Sequence, residues 1–397
     1  MQPELYSLTF SPLAICLLSA MLICMATLAT ILWPKLVRVR HRVSMDDEAP
    51  LPATGYPSVS VIVYSQADGT NLRTLLPQIL QQDYPAPIEV IVVNDESQDD
   101  TETIVSQLEL QYSNLYMTFA PDKSRNLSRR KLAITLGIKA ARYDALLLTC
   151  GNCRIDSPNW MKRMMRHISA GAEVVIGYAK PVGPDGEPDE DSRRRRRSFD
   201  FTWHAVRYLS SAICHRPLIA TGFNLAYTRR LFFAHKGFSQ TLNLKFGDDD
   251  IFLREIANRH NTAVEISHEA RVDSLMHQPA QMHDTLRLRR DFTSKYLARR
   301  AFRSMALTSI LWWAWPLAGI AASLIGLPSL IPAAISLILA LTFSFIHMSQ
   351  WRRTASALGQ RPLYWTVPWL SWSRPFRTLR YRILGRRDRS QNLTHVI

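Results

Sequence analysis

Residues 57–95 read PSVSVIVYSQADGTNLRTLLPQILQQDYPAPIEVIVVND. Two short runs, PSVSVIVYS at 57–65 and PIEVIVVND at 87–95, are apolar at nearly every position and rich in β-branched residues. Such runs fit strands buried on both faces. Between them NLRTLLPQILQQ at 71–82 repeats its leucines and isoleucine at helical spacing, as an amphipathic helix does. The alternation continues. TETIVSQLELQY at 101–112 reads as a helix, LYMTFAP at 115–121 as a third strand, SRRKLAITLGIKAARY at 128–143 as a helix, and DALLLT at 144–149 as a fourth strand. The expected fold class is α/β, a mostly parallel sheet with helices on both faces. Ligands of such sheets bind beyond the carboxyl ends of the strands. That directs attention to the residues after Val63, Val93 and Thr149.

The flanks of this region are of another character. Leu5 to Pro34 carries no charge, and neither does Ser304 to Trp351, where two apolar segments at about 306–325 and 330–348 are split by GLPS. Each is long enough to cross the roughly 30 Å of a bilayer's hydrocarbon. The expected plan is an N-terminal transmembrane helix over 1–34, a linker over 35–56, a soluble domain over 57–302, a transmembrane hairpin over 303–349 and a basic, aromatic interfacial tail over 350–397. Lys35, Arg38, Arg40 and Arg42 follow the first span, and Arg352 and Arg353 follow the third. Positive residues concentrate on the cytoplasmic side, so the soluble domain is expected in the cytoplasm of a bacterial inner membrane. The formal charge of +15 is then read as affinity for anionic membrane lipids. No nucleic-acid motif accompanies it, and nucleic acid is not an expected partner. Five cysteines in such a chain do not suggest disulfides.

Four stretches carry candidate chemistry. Asp68 and Asp95 leave the first two strands, either as helix caps or as acceptors of hydrogen bonds from a nucleoside. FGDDDIFLREI at 246–256 places three carboxylates in a row at a helix start, where crowding raises a carboxyl pKa toward general-base range. HDTLRLRRDFTSKY at 283–296 gathers Arg287, Arg289, Arg290 and Lys295, either to neutralise a leaving diphosphate or to meet lipid. LLLTCGNCRIDSPNW at 146–160 ends the fourth strand on Cys150, Gly151, Asn152 and Cys153. Its C-x-x-C spacing invites a zinc or redox reading, but no second cysteine pair is present and His167 has no zinc spacing. The acidic-then-basic run GPDGEPDEDSRRRRRS at 183–198 is either a solvated loop or a clamp for anions.

Taken together these segments resemble the membrane-anchored family 2 glycosyltransferases of bacteria, whose soluble part has the A-type nucleotide-sugar transferase fold. The resemblance runs from the first span to the tail. It implies a nucleotide-sugar site with Asp68, Asp95 and Lys131, with Arg287 and Arg290 on the diphosphate. ATGFNLAYTRRLFF at 220–233 is similar to the acceptor-side segment, with Gly222 and Asn224. GDDD resembles the acidic motif that supplies the base, Asp249 with Asp248 beside it. The sequence departs from the family at two places. The paired metal-holding aspartates fall at Cys150 and Asn152, and a Q-x-x-R-W segment near Arg287–Asp291 keeps only arginines. An amide is a neutral ligand and a thiol is a poor one for hard cations.

The resemblance therefore implies an inverting, membrane-bound glycosyltransferase moving a sugar to a glycan or lipid-linked acceptor. Either Mg2+ or Mn2+ is held weakly there, or arginines neutralise the diphosphate. The alternative is a weak or inactive relative that binds or scaffolds. Three spans are few for a secretion channel, so export of a product would need a partner protein.

Overall fold

The computed structural model describes residues 11–95, 99–120, 127–183, 192–276, 279–294, 296, 299–327 and 329–387. Lys295 and most of the acidic-basic run at 183–198 lie outside them or have undescribed side chains, as does the end of the tail. The chain forms two compact units. The larger, residues 38–297 with two short C-terminal pieces, holds the α/β domain.

Its core is a seven-stranded sheet. β1 (Val59–Ser65) lies between β2 (Ile88–Asn94) and β4 (Ala145–Cys150), parallel to both, and β3 (Leu115–Phe119) adds parallel to β2. Every residue of β1 and β4 is buried, as expected for strands covered on both faces. Beyond β4 the sheet changes direction. β8 (Leu225–Thr228) pairs antiparallel with β4 and with β6 (Val174–Ile176), and β9 (Thr262–Val264) runs parallel to β6. A small second sheet joins β5 (Cys153–Arg154), β10 (Val272–Leu275) and β7 (Ala179–Val182). The carboxyl ends of β1, β2 and β4 thus share one rim, with β10 crossing just beyond β4.

Helices follow the expected pattern. α2 (Gly69–Leu80) and α3 (Thr101–Glu109) fill the first two crossovers, and α4 (Arg129–Ala140) precedes β4. Gly137 lets α4 lie close on the sheet. A Cβ there would come within 2.8 Å of Val93 and 2.9 Å of Ile62. The start of α4 is tethered from outside the helix. Ser128 N donates to Leu242 O at 2.7 Å and its hydroxyl donates to Lys245 O at 3.1 Å. That tether brings the first turn of α4 to the GDDD segment.

The expected linker over 35–56 is mostly helix. α1 runs from Pro12 to Glu48, past Pro34, so only residues 49–58 connect it to β1. The acidic residues of the expected linker are partners of the α/β domain. Asp46 pairs with Arg42 at 2.9 Å and with Arg166 at 3.2 Å and accepts from Ile266 N at 3.1 Å. Asp47 accepts from His268 N at 2.6 Å, and Arg163 donates to Ala49 O at 2.7 Å. These bonds satisfy the helix end and extend the helix, which no local sequence signal announced.

The smaller unit holds residues 12–37 of α1, α10 (Arg299–Ile325), α11 (Ile331–Ala357) and most of α12 (Thr366–Arg387). Among the described residues three helices are long and apolar enough to cross a membrane, Pro12–Glu48, Ala306–Ile325 and Ile331–Ala357. Large apolar side chains such as Ile310, Leu324, Ile338 and Phe345 point outward from them. Gly319 is the point of close approach, where a Cβ would meet Met21 Sδ at 2.9 Å and Ser336 Cβ at 3.7 Å. The tail helix α12 stacks Trp372 on Trp313 and sets Phe376 edge-on to it, with centroids 4.7 and 4.3 Å apart, and leaves Trp365 and Trp369 exposed.

Candidate functional site

The site forms around a cysteine and an arginine at the rim. β4 ends on Cys150, opposite Tyr64 in the register with β1, and Gly151 N donates to Tyr64 O at 2.7 Å. Asp68 lies against Gly151 so closely that a Cβ on the glycine would sit 2.8 Å from it. Asn71, from α2, reaches across and donates to Gly151 O at 2.5 Å and Cys153 O at 2.8 Å. Asn152 is fastened on the other side, its N–H group and carbonyl bracketing Leu275. Its side-chain amide donates to Leu275 O at 3.1 Å, and its own carbonyl accepts from Leu275 N at 2.8 Å.

Arg130 occupies the middle. Its Nε donates to Asp248 Oδ2 at 2.6 Å, a second nitrogen lies 3.3 Å from Cys150 Sγ, and the guanidinium stands over the Tyr64 ring at 4.5 Å. Tyr64 in turn donates its hydroxyl to Asp95 at 2.6 Å, and Arg129 closes on the same carboxylate at 2.8 Å. From the opposite side Arg289, on α9 (Pro279–Ser294), pairs with Asp248 at 2.7 Å and reaches Asp249 at 3.3 Å. Asp249 accepts from Gly222 N at 3.2 Å. The network therefore joins Asp95, Cys150, Gly222, Asp248 and Asp249 through Tyr64 and Arg130, although their positions span residues 95 to 249.

The three aspartates of GDDD are not equivalent. Gly247, at φ +105, makes the turn that presents them, and a Cβ there would meet Ile251 at 2.5 Å. Burial opposes ionisation of Asp248, but Arg289 and Arg130 overcome it and hold its carboxyl well below the usual range. Burial, reinforced by the negative charge of Asp248, raises Asp249. Asp250, buried and beside Asp249, is pushed up to about 8 and accepts from the Thr293 hydroxyl at 2.8 Å. One carboxylate is locked as an anion, its neighbour is raised above the usual carboxylate value, and the third keeps its proton to about 8.

Asp250 makes stability depend on pH with a definite sign. The unfolded carboxyl loses its proton around 3.8, whereas the folded one keeps it to about 8. Its stabilisation is full below the lower value and is lost as pH rises toward and through the upper one. Asp250→Asn keeps an acceptor for Thr293 and removes this loss. Its Tm should exceed the native protein's at pH 8 by more than it does at pH 5, and equal shifts at both would refute the assignment.

Several expected site residues lie elsewhere. Lys131 is fully buried, its amine donating to Thr241 O at 2.6 Å, and burial lowers its pKa to about 8. It shares the inner face of α4 with Ile134 and Ile138, a spacing of three and four residues that was legible in the sequence. Its neighbour Arg130 takes the position expected of it. Asn224 is also fully buried, donating to Tyr178 O at 3.0 Å and Ala270 O at 2.8 Å and accepting from Trp160 Nε1 at 3.2 Å. With every polar atom engaged, it has nothing left for an acceptor. Arg287 turns to Asp200 at 3.5 Å and Arg290 stacks on Phe201 at 5.6 Å, both on α6 (Ser192–Ile213). Arg289 is the arginine of that segment that meets the aspartates. Tyr64, Arg129 and Arg130 are the residues of the network that sequence reasoning left out of its site, and Arg289 was read only as a member of its arginine cluster.

The donor set for a divalent ion at the end of β4 is poor. Burial raises the Cys150 thiol and keeps it neutral, and Asn152, held to Leu275 through its amide nitrogen, offers an ion only a neutral oxygen. A doubly charged ion brought to roughly 4 Å from the Arg130 guanidinium would meet about 8 kcal/mol of repulsion at an effective dielectric near 20. The residues present do not fit Mg2+ or Mn2+. Among the described residues one group of three could converge on an ion, Asp46, His167 and Glu265. Arg166 already pairs with Glu265 at 2.6 Å and with Asp46 at 3.2 Å, so this group is an ion-pair network.

Comparison with known proteins bears on the family and the fold. Residues 58–232 match the family model described as glycosyl transferase family 2. Glycosyltransferase AglE of Haloferax volcanii is 30% identical over 134 residues, which cover 33% of this chain and 42% of that protein. The match thus spans less than half of the relative's length. The solved structure of mannosyltransferase PcManGT from Pyrobaculum calidifontis, in complex with GDP-Man and Mn2+, aligns with a TM-score of 0.52. That alignment covers 91% of this chain and 99% of the other at 16% identity, a likeness of fold.

Proposed function

Proceeding from a chain whose residues 58–232 belong to glycosyl transferase family 2, we propose that the protein is a membrane-bound, inverting glycosyltransferase using a nucleotide-sugar donor. The observation that carries the reading is Asp249, a partly buried carboxyl with a raised pKa, held beside ionised Asp248 at the rim of the parallel strands. The nucleoside lies toward Asp68 and Asp95, and the diphosphate toward Cys150, Arg130 and Arg289. An acceptor hydroxyl, on a glycan or a lipid-linked sugar, passes its proton to Asp249 as its oxygen bonds to the anomeric carbon. The bond from that carbon to the diphosphate breaks, and the nucleoside diphosphate leaves with the electron pair. A single displacement inverts the configuration at carbon. Arg289 and the Gly222 N–H hold Asp249 in place for this step. No step is routed through a metal ion.

The three long apolar helices and the arginines that follow the first and third support a membrane setting with the α/β domain on the cytoplasmic face of a bacterial inner membrane. Anionic lipids and a secretion or assembly partner complete that picture. The test uses the full chain in detergent, incubated with a panel of nucleotide sugars and lipid-linked and oligosaccharide acceptors. Release of nucleoside diphosphate is followed, and the product anomer is read by NMR. Retained configuration would rule out the single displacement. Binding of nucleotide with no sugar released favours the second reading, a binding or scaffolding subunit, which Cys150 and Asn152 in place of carboxylates support.

A further inference from the structure

We propose that this donor site works without a divalent cation, with the Arg130 guanidinium providing the positive charge that meets the donor's diphosphate. The inference rests on the nucleotide-sugar reading above and specifies how the site holds its most highly charged part.

Three observations lead to it. The first is the ligand chemistry at the end of β4. Cys150 offers a buried thiol, a soft donor, and Asn152 is bonded to Leu275 through both its side chain and its backbone. Asn71 holds the intervening carbonyls of Gly151 and Cys153, so the loop is fastened in this arrangement. Re-aiming it to surround an ion would break four hydrogen bonds. The second is the placement of Arg130. Its guanidinium lies 3.3 Å from Cys150 Sγ, the first of the two positions at which carboxylates would hold a metal. The side chain is 19% exposed although its face is stacked on Tyr64. Gly222 allows this approach, since a Cβ there would stand 3.0 Å from the same guanidinium.

The third is the local charge balance. Arg130 and Arg289 share one strongly ionised carboxylate, Asp248, at 2.6 and 2.7 Å. Arg289 also reaches Asp249, at 3.3 Å, whereas the carboxylate against Arg130 is Asp248. A carboxylate at position 150 would compete with a ligand for the Arg130 guanidinium, whereas sulfur is a weak acceptor. Guanidinium binds phosphate oxygens through two parallel N–H bonds, a directed match that an ammonium group lacks. The substitution of cysteine for a carboxylate and the presence of an arginine against it are therefore two parts of one arrangement.

The test is isothermal titration of the detergent-solubilised full chain with UDP, GDP, ADP, CDP and dTDP, in EDTA and again in millimolar Mn2+. The affinity for the nucleotide that binds best should agree within about twofold between the two conditions. Losing a charge-assisted bond of the usual strength should weaken Arg130→Lys by roughly ten- to hundredfold. The variant combining Cys150→Asp, Asn152→Asp and Arg130→Ala should bind the same nucleotide only when Mn2+ is present. Native protein that binds in Mn2+ and fails to bind in EDTA overturns the inference while leaving the donor-site reading intact, and this comparison needs no variant to fold. Absence of binding to every nucleotide in both conditions overturns the donor-site reading and the inference with it.

Discussion

Asp249→Asn should lower turnover by about a hundred- to ten-thousandfold, the usual contribution of a positioned general base, while nucleoside diphosphate affinity stays within about threefold. The amide retains an oxygen for the Gly222 N–H, which now donates to Asp249 Oδ2 at 3.2 Å. Asp248 keeps both of its arginines, at 2.6 and 2.7 Å, so the network around the lost charge stays closed. What disappears is the ability to take a proton. In the native protein that ability comes from burial and from the neighbouring Asp248 anion, both of which raise Asp249. Initial rates of nucleoside diphosphate release, paired with titration of the nucleotide, separate the two effects. Turnover within tenfold of native would remove Asp249 from the base's role and would direct attention to a substrate-assisted proton transfer.

Asn224→Ala should damage the fold and leave the chemistry of the surviving molecules unchanged. Three buried groups, the Trp160 indole N–H and the carbonyls of Tyr178 and Ala270, lose their partner together. Each orphaned group costs on the order of 1–3 kcal/mol, so a total near 3 kcal/mol or more is expected. In a domain of this size that lowers Tm by roughly 6–12 °C, measured by thermal unfolding in detergent. The acceptor KM of the folded fraction should not move. A variant of native Tm with a raised acceptor KM would return Asn224 to the acceptor side, where the family resemblance first set it.

The contrast between Asn224 and Asp249 shows how sequence and structure divide the information. Both were read from short segments, and both sit near the rim. A motif places a residue in the right neighbourhood without saying which way its side chain turns. GDDD is different because three adjacent carboxylates cannot all be satisfied by the protein's own donors without unequal treatment. That inequality is a consequence of charge crowding and could be foreseen. Which member would be locked by arginines and which raised depended on α9 and on the first turn of α4.

Lys131 and Arg130 make the same point at one residue's separation. On a helix, adjacent positions differ by about 100°, so one points to the sheet and the next to the cleft. The apolar periodicity of Ile134 and Ile138 did carry this information, and the family pattern drew attention away from it. Arg289 was hidden for another reason. Arg287, Arg289 and Arg290 look alike in sequence, and only the packing of α9 between α6 and the GDDD turn separates the one that reaches Asp248 from the two that face Asp200 and Phe201.

The sequence by itself determined the parallel core, the three long apolar helices and the rim on which the candidate site stands. These follow from hydrophobic periodicity, which is local and survives being read one segment at a time. Tertiary structure alone decided that α1 continues to Glu48 through bonds to distant residues. It alone brought Tyr64, Arg130 and Arg289 between carboxylates more than a hundred positions apart. Those outcomes depend on which charges meet once the chain is closed, and a linear pattern holds no record of such pairings.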